Sequence, residues 1–579
     1  MRPKRLMIAS AAFVLAGSLG VAQVGRGGSQ WLTALADAQR TSWVRTDDKI
    51  SVASLSRPGF DVQWTTKLEN RPRGVYGLGP GVTAAGVTLF VPVSLVTGSS
   101  NNVYAIDNDL GYVIWQRRFE ATLPPATADC PGGISAGATR IVRLDGTPSS
   151  GPGFGGGRGA VGYRSLIGEP GEGVPVEPRP AAPGRGGAAG PPPPAPPPGP
   201  GRGAQPEDRI PGSPRVEGAR GGLARPSGVC YVITSDGMLH VLGLPSGKDM
   251  QRPAPFLPAN ARWSSPIAVG TMLYAATSAG CGGAPHGIWG IDLDSDAKPV
   301  MSWKTNGGPV VGAVSFGSDG TLFAAIGAGQ ITADGKANTI VALDPRTLQL
   351  KDWFTQPAAE FVTGPTILRH ADRDVVAAAT RDGRVMILDT KLLGGADHAT
   401  PLYASKSWLA RGAMISADAI ATWQQGIAAA AKEAGPATTW ILLPVAGQLA
   451  NGAPSTNGAI SAGAVAALKL TGSGGALAME PSWVSHDVSA AATPITVNGV
   501  VFVLGTGRPA TAAGRGTPAV LHAYDGATGK RLWTSGKTMT TFASPGSFWT
   551  GLGQIYIGTY DGTLYAFGFD DERRATTGK

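Results

Sequence analysis

Leu521-His-Ala-Tyr-Asp525-Gly-Ala-Thr-Gly529-Lys-Arg-Leu-Trp533 is the stretch from which the rest of the chain is read. A short apolar run ends in aspartate, a Gly-Ala-Thr-Gly turn follows, and a second run closes on tryptophan. Two strand-like runs around such a turn read as a β-hairpin. The same setting returns along the chain. Trp64 and Trp115 stand 51 residues apart, Trp303 and Trp353 stand 50 apart, and so do Trp483 and Trp533. A period near 50 residues built from strand-like content marks a propeller or a similar repeat array.

Working outward, each repeat reads as four short strands, A to D. Strand A begins with proline after a small residue: Ser265-Pro266, Gly364-Pro365, Thr493-Pro494, Ser544-Pro545. Strand B is a β-branched and aromatic run such as Val500-Val-Phe-Val-Leu504. A turn, often Asp-Gly as in Asp236-Gly237, Asp382-Gly383 and Asp561-Gly562, leads to strand C. Strand D carries the tryptophan. Eight units follow, over 81–119, 134–252, 264–305, 309–355, 362–408, 413–486, 490–535 and 542–569. In units two and five the tryptophan is replaced, near Met250 and Tyr403. The last unit lacks strand D, and Phe60-Asp-Val-Gln-Trp64-Thr-Thr-Lys67 has that pattern. The expected fold is all-β: an eight-bladed β-propeller of four-stranded blades, closed by the N-terminal strand. Closure leaves only short, protected sheet edges.

Composition agrees. Of 579 residues 15% are charged, with 85 Gly and 47 Pro, which fits short strands and many turns. Residues 1–22 read as a secretory signal peptide, with a basic start, an apolar stretch too short for a bilayer span, and small residues before the cleavage point. The protein is therefore expected to be periplasmic or secreted. An N-terminal arm occupies 23–59, the propeller 60–570 and a tail 571–579. A Gly/Pro/Arg-rich insert at 146–226 interrupts unit two between strands A and B; it has too little apolar surface to offset its ordering entropy and is expected to be disordered. Alanine-rich residues 424–438 suggest a short helix. The net charge of +9 sits partly in the signal and the insert, so nucleic acid is not expected as a partner.

The tryptophans fall on the outermost strand, so they are read as docking one blade on the next. The aspartates after strand C (Asp107, Asp292, Asp344, Asp389, Asp525) are read as fixing turns. Tyr524-Asp525-Gly-Ala-Thr528-Gly529-Lys-Arg-Leu-Trp533, with Asp561-Gly-Thr-Leu-Tyr-Ala-Phe567, resembles the repeat of the pyrroloquinoline-quinone-like β-propellers. Gln30-Trp-Leu-Thr-Ala-Leu-Ala-Asp-Ala-Gln-Arg40-Thr-Ser-Trp43 resembles the arm before the first strand in that family. The family includes quinoprotein alcohol dehydrogenases and a non-catalytic propeller of the outer-membrane assembly machine, and the chain looks closer to the latter type. The resemblance implies a quinone and calcium site on the face built by the B–C and D–A loops, for members that are enzymes.

This chain departs from that chemistry. It has no two adjacent cysteines. Where the resemblance places a catalytic aspartate, Gly505-Thr-Gly507-Arg-Pro509 through Gly514-Arg-Gly-Thr-Pro518 offers none. Gly133-Ile-Ser135-Ala-Gly137 matches a nucleophile elbow but opens a strand, where that motif needs a strand-to-helix turn. Asp292-Leu-Asp294-Ser-Asp296 starts like a calcium loop and lacks its glycine (Ala297) and glutamate (Trp303). The candidate ligand-facing residues are Trp263, Arg262 and Arg411. Cys130 and Cys281 map to the same face on adjacent blades and are expected to form a disulfide, leaving Cys230 buried and free. The function expected is a binding or scaffold module of the cell envelope, without a catalytic residue or metal. Its partner would be an envelope protein or a small ligand on the B–C face. The chain is expected to be monomeric and at most peripheral to a membrane. The alternative is a quinone-dependent oxidoreductase, with calcium, acting on an alcohol or sugar.

Overall fold

The computed structural model describes residues 30–88, 91–144, 228–332, 335–371, 373–426, 437–473, 476–510 and 516–569. The signal segment, the insert 146–226 and the tail 571–579 lie outside these residues. So does most of the helix expected at 424–438, while Gln424 and Gln425 end the strand Ala421–Gln425.

Eight sheets arise from the described residues, one per repeat. Blade 1 runs Val82–Thr88, Val91–Gly98, Asn102–Asp107 and Val113–Arg118 from inside to outside. Blade 8 runs Ala543–Gly551, Gln554–Thr559 and Thr563–Phe569, and its outer strand is Phe60–Lys67. That strand pairs antiparallel with Thr563–Phe569 from Phe60 opposite Phe569 to Lys67 opposite Thr563, which closes the ring. Blade 2 is the irregular one. Its inner stretch keeps one bridge, Thr139 to Tyr231, and then Ile141–Val142 pairs in parallel with Ala268 and Val269 of blade 3. Its outer strand is Ala254–Pro255, just after Met250.

The repeat residues hold neighbouring blades together. Trp64 Nε1 donates to the Asn108 carbonyl at 2.8 Å, Trp115 Nε1 to Leu244 at 2.7 Å, and Trp483 Nε1 to Gly526 at 2.8 Å. Each acceptor belongs to the C–D turn of the following blade. Each ring also lies on a left-handed glycine of that turn: Gly111 (φ +74°), Gly247 (+66°) and Gly529 (+73°). A Cβ at these positions would come within 2.6 Å, 2.6 Å and 2.5 Å of the indole atoms. Glycine thus serves both the turn and the ring that covers it. The aspartates set the turns: Asp107 Oδ1 accepts from the Asp109 and Leu110 amides, and Asp525 Oδ1 from Ala527. In blade 4 Leu348 takes the left-handed position (φ +56°) and shares an apolar cluster with Trp303.

The N-terminal arm follows a different rule: it visits all eight blades. Innermost-strand amides donate to its carbonyls in order, Thr83 to Trp31, Arg140 to Leu32, Phe316 to Ala38, Ile367 to Gln39, Thr422 to Thr41 and Thr496 to Ser42. Blade 3 joins through Thr33 Oγ1, which donates to Pro266 O at 3.1 Å, and blade 8 through the Gly553 amide, 3.0 Å from Asp47 Oδ2. Such a tight circuit needs sharp turns, and Leu35, Ala36, Arg40 and Ser42 all adopt positive φ, between 57° and 76°. Asn498 and Gly553 lie in A–B turns, so the arm leaves the axis at the end opposite the B–C loops.

Between blades 6 and 7, His486 stacks on His522 at 6.0 Å and its Nδ1 lies 3.1 Å from the Tyr524 hydroxyl. Burial, with Arg531 and His486 nearby, holds the His522 imidazole down at about 4. The folded state then binds fewer protons than the unfolded chain, so stability rises with pH in this window. It should be full above about pH 6.5 and fall by about 3 kcal/mol on the way to pH 4, at ~1.4 kcal/mol per unit. Denaturant midpoints measured across that range should show the slope, and His522→Gln should flatten it. Trp483→Ala should cost about 3–5 kcal/mol in the same assay, as a large buried ring lost without collapse of its site. Gly529→Ala should lower the melting temperature through the same contact.

Candidate functional site

The axis is lined where the innermost strands break. In blade 3, Arg262–Trp263 and Ile267–Val269 both pair with Met272–Ser278 and leave Ser264–Pro266 out of the ladder. Blade 6 does the same with Met414–Ile415 and Ala421–Gln425. Blades 5 and 7 keep a single bridge, at Phe361 and Ala491, before strands starting at Thr366 and Ile495. Blades 4 and 8 shift register between Val311 and Ser315 and between Ala543 and Phe548. Proline explains most of these breaks: it has no amide hydrogen and pushes the preceding residue out of register. Bulges of this kind re-aim side chains and cluster beside functional sites.

The arm supplies donors to the carbonyls so freed. Ser42 Oγ donates to Pro494 O at 2.7 Å. Arg40 is 1% exposed and spans blades 3 and 4: Nε donates to Val314 O at 3.0 Å, Nη2 to Ser265 O at 3.1 Å, and Nη1 to Thr33 Oγ1 and Ala34 O. Burial lowers the guanidinium to about 10, with Asp37 and Asp418 opposing, so it stays charged at neutral pH. Asp37 accepts from the Thr41 amide (2.9 Å) and hydroxyl (2.6 Å); burial raises its carboxyl despite those bonds.

Asp418 sits at the break in blade 6. Its carbonyl accepts from the Gly364 amide of blade 5 at 2.8 Å, and a Cβ on Gly312 of blade 4 would fall 2.5 Å from the same oxygen. Three inner strands therefore converge there. Arg262 of blade 3 and Arg40 of the arm both lower its carboxyl electrostatically. The enclosing protein raises this carboxyl above its ordinary value, with its own amide and the two arginines opposing. Even so, the residue keeps a large accessible surface.

The residues singled out from the sequence do not converge into one pocket. Trp263 is 4% exposed and packs in an apolar cluster with Ile134, Ala136 and Phe256, so its ring has no free face for a flat ligand. Arg262 does stand on the loop face, half-buried. Its Nη1 donates to Asp129 O at 3.2 Å and Nη2 to the Tyr76 hydroxyl at 2.9 Å. Arg411 is exposed on blade 6. Cys130 and Cys281 are joined, with Cα atoms 5.5 Å apart, linking the crossing between blades 1 and 2 to the B–C loop of blade 3. Cys230 is buried in its strand, and burial pushes its thiol up to about 12. Asp418, Asp37 and Arg40 were not singled out. One signal was present: among blades 3, 5, 6, 7 and 8, only blade 6 replaces the small-residue–proline head, with Ser416-Ala-Asp418-Ala-Ile420.

A quinone with calcium does not fit these residues. Among the described residues no three His, Cys, Asp or Glu side chains gather to hold a metal ion. The disulfide joins residues 151 apart in two loops, so it is not the adjacent pair that backs a quinone in the resembled enzymes. Trp263 cannot supply the opposite face.

No protein-family model matches the chain, and no curated protein does. Solved structures do. The quinohemoprotein alcohol dehydrogenase of Comamonas testosteroni matches with a TM-score of 0.53 at 14% identity, over 94% of this chain and 81% of that one. The quinohemoprotein alcohol dehydrogenase ADHIIG of Pseudomonas putida HK5 matches with 0.50 at 11%, over 93% and 80%. BamB from Moraxella catarrhalis gives 0.42 at 13%, over 88% and 100%. The two dehydrogenases establish the shared eight-bladed fold, and at such identity a shared fold does not carry function with it.

Two outcomes are expected here. Arg40→Ala should destabilise by about 3–5 kcal/mol, since it strands carbonyls of the arm and of blades 3 and 4 and leaves the buried Asp37 carboxyl with less compensation; Arg40→Lys should recover little, lacking the fork. Thermal melts of both variants check this. Alkylation of the denatured, unreduced protein should label one thiol, and all three cysteines after reduction.

Proposed function

We propose that the protein is an exported propeller of the pyrroloquinoline-quinone-like type that serves as a binding or scaffold module of the cell envelope. Its ligand or partner would dock on the B–C loop face, above the axial channel. The observation that carries this reading is the donor set at the axis. One accessible carboxylate, Asp418, is flanked by arginines whose side chains are bonded to carbonyls and to Tyr76. This set can bind and orient a polar group, and it has neither the oxygen cluster for calcium nor a free ring for a quinone. The basic start, apolar stretch and small residues of 1–22 support export. Among the described residues no helix is long and apolar enough to cross a membrane.

The second reading is a quinone-dependent oxidoreductase acting on an alcohol or sugar, supported by the fold shared with the two alcohol dehydrogenases. Reconstitution with pyrroloquinoline quinone and calcium separates the two. A binding module should show no bound-quinone absorbance band and no dye reduction with alcohols or sugars. Quinone-dependent turnover of any such substrate would replace the first reading with the second.

A further inference from the structure

We infer that the Cys130–Cys281 disulfide is a thiol–disulfide exchange site, opened by a dithiol at Cys130, and that its opening releases the crossing 120–131 from the loop face. The inference goes beyond the binding-module reading and does not rest on it. The crossing from blade 1 to blade 2 has few backbone ties. Between Val113–Arg118 and Ile141–Val142 the chain forms no strand. Among the described residues, the one backbone–backbone hydrogen bond within 120–138 is internal, from the Thr127 amide to the Cys130 carbonyl at 3.0 Å. Residues 125–129 are exposed, and the chain is buried again from Pro131 to Ile134. Three groups from elsewhere hold the exposed part. Arg73 donates to the Pro124 carbonyl and to Pro131 O at 2.6 Å, Arg262 donates to Asp129 O at 3.2 Å, and Cys281 of blade 3 is bonded to Cys130.

Two of these ties bear on the sulfur chemistry. The carbonyls on either side of Cys130, those of Asp129 and Pro131, each accept from a guanidinium, so two cations bracket this cysteine. Arg73 is held close, against Gly132 and Gly133, where an added Cβ would come within 3.1 Å and 3.3 Å of it. The other charged or titratable side chains on the segments that meet here are Arg71, Tyr76, Glu120, Asp129 and His286; Asp129, next to Cys130, is exposed and so screened by solvent. The thiolate is the form that attacks and leaves, and cations beside a partly exposed cysteine favour it. Cys130 is half-buried and Cys281 buried, so an incoming thiolate meets Cys130. It bonds to Cys130 Sγ, the Cys130–Cys281 bond breaks, and Cys281 leaves as a thiolate that takes a proton from water. The second thiol of the dithiol then attacks its own sulfur in the mixed disulfide, and Cys130 leaves as a thiolate stabilised between Arg73 and Arg262. The dithiol gives up two electrons and becomes a disulfide, and the protein gains two thiols. The crossing then keeps only its side-chain hydrogen bonds.

Thiol labelling and hydrogen exchange on the mature full-length protein test this. Dithiothreitol under native conditions should open the bond, so that iodoacetamide labels Cys130 and Cys281 while the buried Cys230 stays unlabelled. Glutathione, a monothiol, should stop at a mixed disulfide that peptide mapping places on Cys130. On reduction, hydrogen exchange should rise about tenfold or more across 120–131 and stay unchanged in the blade strands. In the reduced protein the pH midpoint of iodoacetamide labelling at Cys130 should lie below the ordinary thiol value of about 8.5, and Arg73→Met and Arg262→Met should each raise it. A cysteine with a purely structural role would titrate at the ordinary value. Reduction only together with labelling of Cys230, a glutathione adduct on Cys281, exchange across 120–131 unchanged on reduction, or a midpoint at or above the ordinary value would overturn the inference. If an arginine variant does not fold, the wild-type midpoint and the position of the adduct decide. None of these readouts depends on the ligand of the loop face or on quinone turnover, so failure of the exchange site and failure of the binding-module reading are told apart.

Discussion

The hydrogen bonds between the arm and the innermost strands are the interaction on which the structure depends. A propeller blade satisfies its own backbone except at its two edge strands, of which the outer faces solvent and the inner faces the axis. Here that edge is broken by proline at several blades, and a buried carbonyl or amide without a partner costs about 1–3 kcal/mol. One segment, residues 31–47, answers these groups in every blade. It does so in strained backbone, with four non-glycine residues at positive φ. Strain of this kind persists only where the surroundings over-determine it. Arg40 shows the degree of commitment, placing its donors on groups of the arm, blade 3 and blade 4.

That arrangement also decides what kind of site the axis can be. The arm runs along the inner strands toward the A–B-turn end, while the Cys130–Cys281 link, Arg262 and Tyr76 lie at the loop face. Burial raises both axial carboxyls, Asp37 and Asp418, while Arg40, Arg45 and Arg262 oppose that rise.

Much of the fold was legible because it is written redundantly. The Asp-turn-Gly-x-x-x-Trp phrase occurs often enough that its failures at Met250 and Tyr403 do not hide the period, and the orphan strand Phe60–Lys67 declares the closure. Placing the loops on one face brought Cys130 and Cys281 together on paper, since topology alone fixes which loops share an end. The axis was harder to read. Arg262 and Trp263 are neighbours in sequence, yet one reaches the loop face and the other enters the core. That alternation is a property of strand register, and here the register begins anew after each break. Asp418 and Arg40 gain their meaning from residues on other blades, which no local pattern encodes.

The closing strand has a temporal consequence. Ser42 bonds to Pro494, 452 positions away, and Gln63 to Gly568, 505 positions away. Contacts of such sequence separation form late, because the loop they close must be ordered first. The strand Phe60–Lys67 is therefore completed only by Thr563–Phe569, and the ring stays open until that distant strand is available. No fragment lacking Thr563–Phe569 can close the ring, since that strand is the one to which Phe60–Lys67 pairs.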